Sequence, residues 1–172
     1  AVAFDSTTEV EFKTKGLKEV RESEGRTFDQ PLGPGPFTRV LAKISELNAR
    51  FPKSKEPFEI SLLTSRGGDA AARAFNTAAS HGIRFNGRMY CMGGIPKIGP
   101  LKAHRPDLFV DDQALHLEEA KAYCPTGLVA YPKGSPMYEY LKELEKQQSA
   151  NDNKKNDDQA PPIAPSAPGP AP

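Results

Sequence analysis

Hydrophobic residues recur at helical spacing between residues 37 and 50. They fall three or four residues apart, on one face of an amphipathic helix: Phe37, Val40, Leu41, Ile44 and Leu47. The preceding segment, residues 31–36, contains three prolines and two glycines. Because proline breaks a helix interior, this segment predicts a sharp helix start near residue 37.

Short apolar runs alternate with helical segments along much of the remaining chain. The runs predict buried strands at residues 58–64, 88–92, 108–110 and 128–131. The segments between them predict helices at residues 70–80, 100–104 and 114–123, the first capped by Asp69 and stopped at Gly82. This alternation favours an α/β fold, a Rossmann-like open, mostly parallel sheet with helices on both faces. Ligands of such sheets bind beyond the carboxyl ends of the strands.

The first thirty residues begin apolar and continue polar. Residues 1–4 form an apolar run that predicts a first strand, and Asp5 follows it directly. Residues 9–30 are polar and charged, with a predicted helix at residues 9–21. Two interpretations of this segment stay open, a small cap over the site or a connecting helical hairpin on the surface.

The carboxyl-terminal part of the chain divides into a helix and a tail. After Pro136, apolar residues at helical spacing predict a final, solvated helix. From residue 149 the chain becomes polar and then rich in Pro and Ala, with six prolines between residues 161 and 172. This composition cannot bury enough apolar surface to order itself. We therefore expect one domain at residues 1–148 and a disordered tail at residues 149–172.

Composition and charge exclude several classes of partner. The chain has 172 residues with 23 Lys and Arg against 22 Asp and Glu, so we expect no nucleic acid and no membrane as partner. Mean hydropathy is −0.58, and no apolar stretch reaches the roughly 18–20 residues of a membrane helix. Cys91 and Cys124 lack the spacing of a zinc or redox pair. A cytoplasmic protein with free thiols is the expectation.

Two adjacent carboxylates, Asp111 and Asp112, follow the predicted strand at residues 108–110. Aspartate is rare at the end of a buried strand unless it is paired, hydrogen-bonded or bound to a cation. Since adjacent strand residues face opposite sides, one carboxylate could bind Mg²⁺ directly while the other binds backbone or a metal-bound water. The alternative is that one of them only caps the helix that begins near residue 114.

Hydroxyl groups follow the predicted strand at residues 58–64. Thr64, Ser65 and the backbone N–H groups before the next helix predict an anion site that suits a phosphate. The alternative is a simple Ser/Thr turn. Lys102 lies near enough to the acidic pair in this fold to neutralise a phosphate, and Lys97 is the competing lysine.

Five segments, in this order and spacing, resemble the cytosolic 5′-nucleotidase I family of haloacid-dehalogenase-like phosphohydrolases. They are residues 34–36, 61–66, 92–96, 101–103 and 108–113. The resemblance extends over about residues 1–132. It implies a Rossmann-like hydrolase that removes the 5′-phosphate from nucleoside monophosphates with Mg²⁺, through an aspartyl-phosphate.

The resemblance also implies roles for individual residues. Thr64 matches the hydroxyl residue that binds the transferred phosphate, with Ser65 beside it, and Lys102 matches the phosphate-neutralising lysine. Asp111 and Asp112 match the metal-binding acidic motif. Residues 31–37 match a loop that lies near the substrate in the family.

The nucleophile motif departs from the family pattern. The family requires a strand that ends in Asp-x-Asp, and Asp5 is the only candidate, with Thr7 in place of the second carboxylate. A hydroxyl is a poor proton shuttle near neutral pH, so hydrolysis of the aspartyl-phosphate would be slow. A gapless alignment instead places the motif upstream of residue 1, and the missing Met agrees with it. We expect this second arrangement, in which the chain lacks its attacking group.

Two alternatives to an active 5′-nucleotidase follow from these departures. The first is a catalytically impaired nucleotide-binding or regulatory module of the same fold. The second is an interaction protein that recruits a partner through its Pro-rich tail.

Overall fold

The computed structural model describes residues 2–158, apart from the side chains of residues 17, 21, 69 and 152–158. Its α-helices are α1 Thr7–Lys15, α2 Leu17–Arg26, α3 Thr38–Asn48, α4 Asp69–Ser80, α5 Ile98–His104, α6 Ala114–Ala120 and α7 Pro136–Asp158. Its strands are β1 Leu62–Thr64, β2 Met89–Cys91, β3 Phe109–Asp111 and β4 Thr126–Leu128. A short 3₁₀ turn covers Lys53–Lys55. Helices and parallel strands alternate, so the predicted α/β class is confirmed.

The strands form two separate parallel pairs, β1 with β2 and β3 with β4. Within residues 2–158 the expected single open sheet is therefore not observed. In a parallel ladder, alternate residues of a strand bond to one neighbour. Residues 62 and 64 bond to the β2 side and residues 109 and 111 to the β4 side. The N–H and C=O groups of Leu63 and Val110 consequently point away from their paired strands.

The strand predicted at residues 58–64 is shortened to its last three residues. Asn48 Oδ1 accepts the N–H of Phe58 at 3.2 Å, and Asn86 Oδ1 accepts the N–H of Ile60 at 2.7 Å. Because side-chain amides accept these N–H groups, a regular strand ladder does not form here, although the Ile60 carbonyl still accepts the N–H of Gly87 at 3.0 Å. The last strand, predicted at residues 128–131, lies at Thr126–Leu128.

The strand predicted at the start of the chain is not present in residues 2–5. Phe4 makes an isolated antiparallel bridge to Pro34. Asp5 Oδ1 then accepts the N–H of Thr7 at 3.0 Å, an Asx-type turn that directs the chain into α1. Residue 1 lies outside the described residues.

Residues 7–26 form a helical hairpin rather than the single helix predicted at residues 9–21. Gly16 separates α1 from α2 with φ +87°, a conformation that favours glycine. The segment is a helical hairpin, as one interpretation expected, but it does not lie loosely on the surface. Its α2 packs on α4 and its α1 on α7, and Val20 and Glu24 are buried.

Helices α3 and α4 lie close to their predicted positions. Gly68 precedes the first helical residue of α4, so Asp69 begins the helix instead of capping it. Leu41 of α3 packs against the core, whereas Val40 and Leu47 are 46% and 39% exposed. The face predicted for α3 is thus only partly covered.

Buried hydrophobic residues of the described chain form two clusters. One joins the N-terminal segment and the 31–36 loop to α4: Phe4, Leu32, Ala74, Ala78 and Ile83. The other lies under β3: Leu101, Phe109, Leu117, Ala120 and Cys124. Leu63 of β1 packs against this second cluster. A cavity of about 100 Å³ lies beside Leu63, Leu101 and Phe109.

Helix α7 extends to Asp158, beyond the boundary predicted at residue 148. The rest of the predicted tail, residues 159–172, lies outside the described residues. Cys91 and Cys124 are both free. Over residues 2–158, no helix is long and apolar enough to cross a membrane.

Candidate functional site

Thr64 occupies the carboxyl end of β1, at the start of the loop that leads to α4. Its Oγ1 accepts the N–H of Arg66 at 3.2 Å, and its backbone carbonyl accepts the N–H of Met92 at 2.8 Å. Gly94 N–H donates to the carbonyl of the exposed Ser65 at 3.0 Å. The predicted Ser/Thr turn is therefore present, and it is bonded to the loop after β2.

Glycine lets these two loops approach each other. A Cβ atom on Gly67 would lie 3.0 Å from the Cα of Gly93, a distance that real side chains do not tolerate without movement of the backbone. The loop that offers backbone N–H groups before α4 is thus held against the 93–94 turn.

Asp111 lies at the carboxyl end of β3 and is 4% exposed. Lys97 Nζ donates to its Oδ2 at 2.7 Å, while Oδ1 accepts the N–H of Gln113 at 2.9 Å and lies 3.2 Å from His116 Nδ1. The structure thus brings Lys97 to the acidic pair. Lys102 is exposed on α5.

Asp112 faces a different set of groups. The Tyr131 hydroxyl lies 2.7 Å from Asp112 Oδ2 and 3.0 Å from Oε1 of Glu9. Gln113 Nε2 donates to the same Glu9 oxygen at 3.4 Å. Asp111 and Asp112 therefore point into separate environments, as expected for adjacent residues at a strand end.

Glu9 and Asp112 form a close carboxyl pair. Burial, and then the hydrogen bond and charge of Asp112, raise the pKa of Glu9 from 4.5 to about 7. Burial also acts to raise the pKa of Asp112, but favourable contacts that include the Tyr131 and Glu9 hydrogen bonds hold it below its usual value. Burial and the Asp112 carboxylate raise the pKa of Tyr131 well above its usual value. Glu9 is thus the member of the pair that holds a proton most readily.

A second polar cluster surrounds Glu24, whose side chain is 0% exposed. Its carboxylate accepts hydrogen bonds from Arg66 Nη1 at 3.2 Å, Arg73 Nη1 at 3.2 Å and Thr8 Oγ1 at 2.7 Å. Burial lowers the pKa of Arg66, and the charge of Glu24 opposes that shift. Two guanidinium groups and a hydroxyl therefore satisfy one interior carboxylate.

Asp5 is bound to the loop that the resemblance placed near the substrate. Its Oδ2 accepts the N–H of Gly33 at 2.8 Å, and its own N–H donates to the Gly33 carbonyl at 2.9 Å. A Cβ on Gly33 would lie 2.6 Å from Asp5 Oδ2, so the loop can approach because residue 33 is glycine. Arg66 also interacts electrostatically with Asp5.

The helix α1 connects the carboxyl ends of β1 and β3. Thr8 bonds to Glu24, which binds Arg66 in the loop after β1. The next residue, Glu9, contacts Tyr131 and Asp112 beyond β4 and β3. The candidate site is therefore built from both strand pairs and from α1, which belongs to the segment for which a small cap over the site was one of the two interpretations.

Neither Glu9 nor Glu24 carried a sequence signal that distinguished it from the other charged residues at positions 9–30. Their partners lie far away in the chain, and only folding brings them together. Tyr131 had a usable signal, because it closed the last predicted strand and the strand-end rule applied to it.

Residues 2–158 contain no group of three or more His, Cys, Asp or Glu side chains that could hold a metal ion. Mg²⁺ does not require such a cage, since one or two carboxylates, water and substrate phosphate complete its coordination. The Glu9–Asp112 pair has the oxygen chemistry for this kind of site, whereas Asp111 already binds Lys97.

A histidine–serine contact lies elsewhere, at the other end of β1. His104 Nε2 is 3.4 Å from Ser61 Oγ, and His104 Nδ1 is 2.6 Å from Arg88 Nη1. A guanidinium only donates, so this geometry makes Nδ1 the acceptor and leaves the proton on Nε2. Such a tautomer cannot take a proton from Ser61, and the contact is not a nucleophile–base pair.

Comparison with known proteins agrees with the resemblance seen in the sequence. The model of the 5′-nucleotidase family matches residues 1–136. Cytosolic 5′-nucleotidase 1B of Homo sapiens is 26% identical over 113 residues, covering 63% of this chain and 18% of the human protein. The matched part is thus less than a fifth of that relative's length. No solved structure matches the chain. Since the family model covers well over half of the sequence, the chain belongs to the 5′-nucleotidase family.

Proposed function

We propose that this chain carries the phosphate-binding and cation-binding part of a Mg²⁺-dependent hydrolase that acts on nucleoside 5′-monophosphates. The observation that carries the proposal is the grouping of Lys97, Asp111, Asp112 and Glu9 at the carboxyl end of β3, in a member of the 5′-nucleotidase family. A small anionic substrate also suits a chain with a net charge of +1. The name of the human relative supports a cytoplasmic setting.

The phosphate is proposed to bind at the loop that follows β1. Thr64 and Ser65 offer hydroxyl groups there, and the loop before α4 offers backbone N–H groups. A lysine is needed to offset charge on the phosphoryl oxygens. We propose Lys97 for this role because Asp111 holds it at the strand end, with Lys102 as the alternative that the family resemblance implied.

The cation is proposed to bind at Asp112 and Glu9. Asp111 contributes indirectly, because it accepts the backbone N–H of Gln113 and orients Lys97. When bound, Mg²⁺ would stabilise negative charge on the phosphoryl group. Tyr131 and Gln113 orient the two carboxyl groups by hydrogen bonding to them.

If the nucleophile lies within this chain and not upstream of residue 1, Asp5 is the proposed attacking carboxylate. In this scheme an Asp5 oxygen bonds to phosphorus, the bond from phosphorus to O5′ breaks, and the O5′ oxygen of the leaving nucleoside takes a proton from a water molecule. Water then cleaves the aspartyl-phosphate and releases phosphate. Thr7 replaces a carboxylate at the position where the family has its proton shuttle, so the second step is expected to be slow.

A nucleotide-binding module without turnover is the second candidate. It is favoured by the environment of Asp5, because backbone N–H groups of Thr7 and Gly33 already bind its two oxygens. A carboxylate bound in this way is a weaker nucleophile than a free one.

Phosphate release and calorimetry together test both candidates. Purified chain is incubated with a panel of nucleoside monophosphates, with Mg²⁺ or with EDTA. The enzyme predicts metal-dependent release that Asp5→Asn abolishes while nucleotide binding persists. The binding module predicts metal-dependent binding without release. Absence of both binding and release would overturn the proposed function.

A further inference from the structure

Glu24 is the most deeply buried charged side chain near the candidate site, and the scheme above gives it no role. Its three partners come from three elements: Thr8 from α1, Arg66 from the loop after β1, and Arg73 from α4. A buried carboxylate is expensive unless cations and hydrogen bonds satisfy it. The Glu24 carboxylate therefore links α1, the loop after β1 and α4.

The Glu24 contact leads directly to the proposed phosphate loop. Arg66, which Glu24 binds, donates its backbone N–H to Thr64 Oγ1 at 3.2 Å. Its side chain is 21% exposed, and it interacts electrostatically with Asp5 and Glu9 as well as with Glu24. The position of this guanidinium thus depends on Glu24 and influences the charges around the site.

Two guanidinium groups lie beside the proposed phosphate loop. Glu24 binds both Arg66 and Arg73. Asp5 and Glu9 also interact electrostatically with Arg66, so carboxyl groups balance much of the positive charge here. The side chains of Arg66 and Arg73 are 21% and 13% exposed. A phosphate bound near Thr64 would lie close to Arg66, whose backbone N–H already bonds to Thr64.

Glu24 also determines how α1 is held. Thr8 and Glu9 are consecutive residues, and they reach the β1 side and the β3 side of the site respectively. Without Glu24, α1 would keep its contact with Tyr131 and Asp112 but lose its contact with the loop after β1.

We propose that Glu24 is a positioning residue for phosphate binding, which holds Arg66 beside the Thr64 loop and fixes α1 across the ends of both strand pairs. It acts through Arg66 and Thr8 and does not touch the substrate. The affinity part of this inference rests on the proposed function, whereas the anchoring of α1 does not.

The test compares Glu24→Gln with Glu46→Gln. Glu46 is a matched control because it also contacts two basic residues, Lys43 and Arg50, but on the surface. Glu24→Gln is expected to raise KM for a nucleoside monophosphate and the inhibition constant of inorganic phosphate by about tenfold, with kcat changed less than about threefold. Glu46→Gln is expected to change none of them. An unchanged KM with a lowered melting temperature would mean a purely structural ion cluster and would overturn the proposal.

A milder variant keeps the test informative if Glu24→Gln does not fold. Thr8→Val removes one of the three hydrogen-bond partners of Glu24 and leaves the charges in place, so a smaller rise in KM, about twofold to threefold, is expected. No rise in KM for this variant, with Glu24→Gln unable to fold, would also count against the proposal.

Amide hydrogen exchange separates this inference from the proposed function. If the wild-type chain neither binds nor cleaves nucleotides, the proposed function fails, but exchange still tests the anchoring of α1. Glu24→Gln, or Thr8→Val if the former does not fold, is expected to speed exchange in residues 7–15 by about tenfold, with α6 unchanged. Exchange in residues 7–15 equal to that of the wild type would overturn the anchoring.

Discussion

Two carboxyl clusters hold the same helix in opposite ways. On the β1 side, Thr8 reaches Glu24, which is completely buried and faces two guanidinium groups. On the β3 side, the next residue, Glu9, is partly exposed and faces the carboxylate of Asp112. The deeper carboxylate has its countercharge inside the protein, whereas the shallower one holds a proton near neutral pH.

The comparison teaches that two carboxyl groups withdrawn from water are used differently according to the charges around them. The Glu24 carboxylate accepts hydrogen bonds from a hydroxyl and two guanidinium groups, which hold it in place. Burial, and then the like charge of Asp112, oppose ionisation of Glu9, so its protonation and its affinity for a cation are both adjustable. Of these two consecutive residues at the start of α1, Thr8 therefore contributes to a rigid contact and Glu9 to the chemistry of the candidate site.

Removal of the carboxylate from the rigid cluster is expected to have the largest effect. Glu24→Ala leaves two mostly buried guanidinium groups without a counter-ion, so the free energy of unfolding should fall by about 3 kcal/mol. Urea denaturation followed by circular dichroism measures it. Glu46→Ala, which removes an exposed glutamate between Lys43 and Arg50, should leave the urea midpoint unchanged. Equal midpoints for the wild type and Glu24→Ala would contradict the comparison.

Lys97, which pairs with Asp111 at the carboxyl end of β3, should be the more sensitive position in activity. If Lys97 offsets charge on the phosphate, Lys97→Met is expected to lower kcat/KM by about 100-fold. Lys102→Met, a matched change on the exposed face of α5, is expected to change it less than about threefold. Steady-state phosphate release from the preferred nucleotide measures both. The opposite ranking would assign the role to Lys102.

The pH dependence of stability should distinguish the two clusters. The pKa of Glu9 is raised in the folded protein to about 7 from 4.5, so protonation stabilises the fold. This stabilisation is complete below about pH 4.5 and is lost as the pH rises through 7. Because Glu9 is partly exposed and screened, the loss is on the order of 1 kcal/mol.

Glu9→Gln removes this pH dependence, because glutamine keeps hydrogen bonds without a charge. In EDTA, the variant should be more stable than the wild type at pH 8 and similar to it at pH 4.5. Glu11→Gln, two residues further along α1, is the control and should retain the wild-type profile. A Glu9→Gln profile that still falls between pH 4.5 and 7 would trace the effect to another group.

Tyr131→Phe should produce the smallest change. The Tyr131 hydrogen bond lowers the pKa of Glu9, so its removal should shift the pH-dependent phase to higher pH and cost about 0.5 kcal/mol or slightly more. Thermal unfolding across the same pH range measures both quantities. A shift to lower pH would mean that the hydroxyl favours protonated Glu9.

Strand-end reasoning located half of the candidate site from sequence. Thr64, Asp111 and Asp112 follow apolar runs, and the structure places each of them at the carboxyl end of a strand. The strand-end rule succeeds because the carboxyl ends of parallel strands lie at the same edge of a sheet. Their proposed roles remain predictions.

The remaining groups could not be found in this way. Glu9 and Glu24 belong to a polar segment whose pattern is that of a solvated helix, and their partners are brought near by tertiary packing alone. Lys97 and Lys102 lie on either side of the start of α5, and no periodicity decides which of them faces Asp111.

The local hydrophobic pattern did not predict the extent of the strands correctly. Apolar runs predicted longer strands and one continuous sheet, but Asn48 and Asn86 occupy the backbone groups of Phe58 and Ile60. A side chain that bonds to backbone competes with a ladder, and the sequence gives no sign of the competition.

The open edges of β1 and β3 bear on how the protein behaves at high concentration. Each strand has three residues, and only the middle one, Leu63 or Val110, directs its N–H and C=O groups away from the paired strand. A strand from another molecule could therefore form at most two backbone hydrogen bonds at either edge. Short strand edges are one means by which proteins resist edge-to-edge aggregation. The short edges of β1 and β3 therefore favour solubility.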